Sequence, residues 1–95
     1  MNLQETEKRF NGVCRLLKSF GFKGEVLVKA GIVMVVSHDK FSSSLIRKTM
    51  KKINLRSDGQ IIECRFTAVS VFAWVSSEVQ LSRKVIRAQA EPLAA

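Results

Sequence analysis

The five residues Ile32-Val33-Met34-Val35-Val36 constrain this chain more than any other feature. Successive side chains of a strand point to opposite faces, so an unbroken apolar run is apolar on both. Such a strand belongs in the middle of a sheet. Val26-Leu27-Val28 makes a second β-type run, and the Ala30-Gly31 break between the two predicts a hairpin.

Helical periodicity flanks this hairpin on both sides. Over Leu3 to Phe20, Leu3, Phe10, Val13, Cys14 and Leu17 share one face, while Glu5, Lys8, Arg9 and Arg15 face away. Gly21 ends that helix, and Phe20 and Phe22 are assigned to the core. A second helix is predicted over residues 43 to 54, capped by Asp39 or Ser42, with a turn at Ser57-Asp58-Gly59 after it.

From Gln60 to Thr67 the pattern alternates, with Ile62, Cys64 and Phe66 inward and Glu63, Arg65 and Thr67 outward. Ala68 to Val75 continues it with no Gly, Pro, Asn or Asp. One strand over 60 to 75 would span about 50 Å, too long for a domain this small. It therefore bends near Ala68 to Ser70, or overhangs and pairs with another copy, or turns helical past residue 68. Phe66, Phe72 and Trp74 are assigned to the core.

Ser77-Glu78-Val79-Gln80 is a capping box that opens a last helix to Ala90, and Pro92 begins a loose tail. The element order is α-β-β-α-β-α. This is a single α+β domain over residues 1–91 with a flexible tail at 92–95, its helices packed on an antiparallel sheet of three or four strands.

With 95 residues, 46% of them hydrophobic, the chain fills one small core, with an expected radius of gyration of roughly 12 Å. Cys14 and Cys64 have no metal-ligand spacing and a single His cannot complete a zinc site with them. Two reduced, buried thiols and no cofactor or metal are expected, which fits the cytoplasm. The polar start lacks an apolar signal core, and the longest apolar-rich run, Phe66 to Val75, is half of a membrane span. No membrane partner is expected.

Charge bounds the partner. Residues 40 to 56 hold six basic residues and no acid, in a chain whose net charge is +8. They are Lys40, Arg47, Lys48, Lys51, Lys52 and Arg56. On a helical wheel Leu45, Ile46, Thr49, Met50 and Ile53 form an apolar arc, and Arg47, Lys48, Lys51 and Lys52 fill the facing arc. Arg47/Lys51 and Lys48/Lys52 are like-charge i,i+4 pairs that each cost roughly 0.2–0.5 kcal/mol. Stability alone would put Glu at one of each pair. Arg83, Lys84 and Arg87 make a second basic arc on the last helix.

Single-sign stripes attract polyanions. The expected function is therefore a small regulatory nucleic-acid-binding protein, RNA or DNA, that contacts phosphates through these side chains. The plainer alternative is a solvated face. Another is an inhibitor or adaptor docking the stripe on an acidic protein surface, and a homodimer through residues 60–75 follows if that segment overhangs.

Known motifs are only grazed. Lys18-Ser19-Phe20-Gly21-Phe22 echoes the opening of the RNA-recognition-motif signature, but Lys23 and Glu25 break it where an aliphatic and an aromatic residue belong. Gly21-Phe22-Lys23-Gly24 fits the GxxG of KH loops, yet a strand follows where a helix should. His38-Asp39 is the one pair resembling an acid–base site, and would make a small endoribonuclease the enzymatic alternative. Ser42-Ser43-Ser44 has no nucleophile-elbow setting. No enzyme is expected.

Overall fold

Leu3–Lys18 coils into α1 and buries Thr6, Phe10 and Cys14, with Leu3, Val13 and Leu17 partly covered beside them. The apolar spacing foretells this face, except for Thr6. In the computed structural model, which describes residues 3–52, 59–66, 69–76 and 83–94, the helix ends on a left-handed cap. Gly21 sits at φ 88°, and the Phe22 amide donates back to the Leu17 carbonyl at 3.2 Å. That geometry favours glycine, because a Cβ crowds the backbone at positive φ.

The hairpin follows as expected. β1 (Gly24–Lys29) and β2 (Ile32–Ser37) pair antiparallel, from Gly24 opposite Ser37 to Lys29 opposite Ile32. Ala30 and Gly31 join them at φ 55° and 75°, the paired positive angles of a tight turn whose twist suits the two strands. Every residue of β2 is buried.

The segment past residue 59 is where the sequence left alternatives open. It is neither one long strand nor a helix, but a second hairpin: β3 (Gly59–Arg65) and β4 (Ser70–Ser76) pair antiparallel, from Gly59 opposite Ser76 to Arg65 opposite Ser70. The Phe66 amide donates to the Val69 carbonyl at 2.9 Å, which closes the reversal. Among the described residues β3 and β4 pair over their full lengths, so the overhang on which a homodimer through residues 60–75 was expected to rest is not formed there. The sheet has four strands in the order β1-β2-β4-β3, all neighbours antiparallel.

Helices cover both faces. α2 (Lys40–Lys52) carries the chain from β2 across to β3. On one face α1 and α2 bury Phe10, Cys14, Ile46 and Met50 against Val33, Val35, Phe72 and Trp74. On the other, α3 (Arg83–Ala94) buries Ile86 and Ala90 against Met34, Val36, Cys64, Val71 and Ala73. Cys14 and Cys64 are buried without a disulfide in different clusters, so the sheet separates them. Burial, opposed by nearby Lys18, pushes the Cys14 thiol up to about 11.

Three expectations change here. Glu63 and Arg65 point away from the α3 side, but Glu63 meets Arg47 of α2 instead of open water, while Arg65 stays exposed. Phe66, Phe72 and Trp74 have the same parity and would share one face of an unbroken strand, but Phe66 packs against the opposite cluster from the other two, because the chain reverses between them. The last helix runs through Pro92 to Ala94, although Pro92 can donate no bond to the preceding turn. The capping box at 77–80 and the turn at 57 and 58 lie outside the described residues. The Cα radius of gyration is 12.2 Å, and no described helix is long and apolar enough to cross a membrane.

Candidate nucleic-acid interface

Asp39 starts α2: its Oδ1 accepts the Ser42 amide at 2.7 Å, satisfying one of the helix's orphan donors. The Ser42 amide first, then its hydroxyl, hold the Asp39 carboxyl below its ordinary value. The helix therefore begins at Lys40, three residues earlier than expected, and takes Phe41 into its first turn.

Ser42 and Ser43 are buried and serve as fasteners. The Ser42 hydroxyl accepts the Lys23 amide at 2.6 Å. The Ser37 hydroxyl donates to the Ser70 carbonyl at 2.9 Å and lies 2.6 Å from the Ser43 hydroxyl. A hydroxyl has one hydrogen, so Ser43 is the donor in that pair. The Ser70 amide approaches both oxygens at 3.1 Å. These bonds pin the start of α2 to the ends of β2 and β4.

Arg47 is fixed in the same region. Its Nε donates to Glu63 Oε1 at 2.8 Å and one terminal nitrogen to the Ser70 hydroxyl at 2.9 Å. Arg65 Nε and the Ser70 hydroxyl reach the same carboxylate oxygen, each at 3.1 Å. The side chains of Arg47 and Glu63 are only 28% and 18% exposed. Burial pushes the Glu63 carboxyl up, but hydrogen bonds from Arg47, Arg65 and Ser70 outweigh it and hold it below its ordinary 4.5. Arg47 thus belongs chiefly to the contact between α2 and the sheet.

The charge that α2 offers to solvent is carried by lysine. Lys40, Lys48, Lys51 and Lys52 are exposed, and the helix contains no acid. Among the described residues, no ion pair engages these four. Lys40, Ser43, Arg47, Arg65, Phe66 and Ser70 line an open pocket of about 220 Å³. Arg65, 67% exposed in its side chain, was missed as a candidate because strand alternation marked it only as outward. Arg56 lies outside the described residues.

The two basic helices do not share a face of the sheet. α3 lies opposite α2, with Arg83 as its first residue and Lys84 exposed. Arg87 holds its guanidinium carbon 4.8 Å from the centre of the Phe66 ring, a cation–π distance. Phe66 also borders the α2 pocket, so its ring links Arg87 to that edge of the sheet.

His38 is exposed, its amide bound to the Lys23 carbonyl at 2.8 Å and its Nε2 3.6 Å from Glu25 Oε1. Phe22 is buried as expected, but Phe20 is 69% exposed and so is Phe41 at 58%. No family model, curated protein or solved structure matches this chain.

Proposed function

We propose that this protein binds nucleic acid by its phosphates, with Lys48, Lys51 and Lys52 of α2 as the main contacts and Lys40 and Arg65 extending the surface at the sheet end. The observation that carries this reading is the state of the α2 cations. They are exposed, they have no acid on their own helix, and Lys48 and Lys52 repel each other at i,i+4, a cost that a phosphate backbone removes.

Lysine ammonium groups act as point charges, whereas base readout usually relies on the bidentate geometry of Arg, Asn or Gln. Arg47 has a guanidinium, but two of its nitrogens are already engaged by Glu63 and Ser70. Binding is therefore broad in sequence. α3, with Lys84 and Arg87, faces away and plays at most a secondary part.

Titration of labelled oligonucleotides of unrelated sequence tests this. The wild-type protein should bind them with similar affinity at low salt, and Lys48→Gln/Lys51→Gln/Lys52→Gln should weaken all of them alike. A folded protein that binds none, yet captures one acidic protein stoichiometrically, would put the adaptor reading in its place.

A further inference from the structure

Among the described residues the exposed large apolar side chains include Leu16 and Phe20 at the end of α1 and Phe41 at the start of α2. Gly21 brings Phe20 and Phe41 into one neighbourhood. Leu16 lies in the last turn of α1 and Phe20 two residues past its end. The Phe41 ring edge stands 3.6 Å from where a Cβ on Gly21 would be, so it lies over the α1 cap, beside the residue that follows Phe20.

Phe41 also heads the lysine row. On a wheel of 100° per residue, Phe41, Lys48 and Lys52 fall within an arc of about 40°, and about 16 Å of helix separates the first from the last. Lys18 and Lys23 are exposed in the same neighbourhood, and the bond from the Lys23 amide to the Ser42 hydroxyl holds Lys23 beside the first turn of α2. The nearest acid of that turn, Asp39, has its carboxylate directed at the Ser42 amide.

Two occupants would suit exposed aromatic rings, and lysine separates them. Protein–protein interfaces enrich aromatics but deplete lysine. Sites for single-stranded nucleic acid combine stacking rings with a cationic track. A duplex keeps its bases stacked inside, so it would use the lysines and leave both rings idle.

We propose that Phe20 and Phe41 form a base-stacking step for single-stranded nucleic acid, whose phosphates then follow Lys48 and Lys52 along α2. This rests on the phosphate-binding reading of α2 given above. It adds a preference for strands with unpaired bases, without choice among base types, since every base has a π face.

The experiment compares a fluorescein-labelled single strand of mixed sequence with the duplex it forms with its complement. Each is titrated with the wild-type protein, with Phe20→Ala/Phe41→Ala and with Phe20→Tyr/Phe41→Tyr, after urea unfolding has shown that all three fold alike. The alanine variant should lose at least about fivefold in single-strand affinity per ring. The tyrosine variant should stay within about twofold of wild type, and all three should bind the duplex equally. If the alanine variant binds the single strand as wild type does, the stacking step is overturned while phosphate binding stands. If the wild-type protein binds neither form at low salt, both readings fall, and the aromatic corner becomes a docking surface for a protein.

Discussion

Arg47 and Lys48 are chain neighbours with the same charge, yet one is turned into the fold and the other out of it. Removing Arg47 takes from Glu63, 18% exposed in its side chain, a charged donor 2.8 Å away. Arg47→Gln should therefore cost about 1.5–3 kcal/mol in urea unfolding, the range for a hydrogen bond to a charged group. Lys48→Gln should change stability by less than about 0.5 kcal/mol. The same carboxyl gives a pH signature. Its value is lowered in the folded state, so its contribution is present above the ordinary 4.5 and is lost as pH falls through the lower folded value. Unfolding midpoints followed into acid should drop below about pH 4.5, and Glu63→Gln should flatten that drop. Only half of this was legible in the sequence. Helical spacing puts Arg47 and Lys48 both outside the apolar arc, but strand alternation cannot tell an outward Glu63 in water from one covered by a helix.

Elements were legible where their own residues carry the signal. The hairpin of β1 and β2 shows itself through Ala30-Gly31, but Ala30 adopts φ 55°, which costs an L residue roughly 1–2 kcal/mol. Ala30→Asn or Ala30→Gly should recover part of that, about 0.5–1 kcal/mol, and raise the melting temperature by roughly 2–8 °C; an unchanged or lower melting point would contradict the turn geometry. The hairpin of β3 and β4 stayed hidden because Phe66-Thr67-Ala68-Val69 contains no residue that favours a turn. Its position was still bounded, since a strand of that length could not fit the domain. The start of α2 was misplaced for a local reason. Asp39 and Ser42 are both good caps, and a start at residue 43 left Phe41 off the wheel that would have aligned it with Lys48 and Lys52.

At the scale of the molecule, the sheet divides the basic residues that the sequence could only count. α2 and α3 lie on opposite faces, so their arcs do not add into one groove. The candidate surface instead runs from the aromatic corner and the Lys40–Arg65 pocket along the lysines of α2. The sequence could not show this, because it depends on which face each helix covers and on the reversal that brings Arg65 opposite Ser70. The stripe itself needed only spacing and charge, and three of its four members remain free on the surface. The most direct test of phosphate binding is the salt dependence of binding to a duplex, whose bases are already stacked. The slope of log K against log salt should be shallower for Lys48→Gln/Lys51→Gln/Lys52→Gln than for wild type by up to about 2.7 units, at roughly 0.9 per phosphate neutralised. A folded variant with the wild-type slope would contradict the account and leave the lysine row as a solvated face.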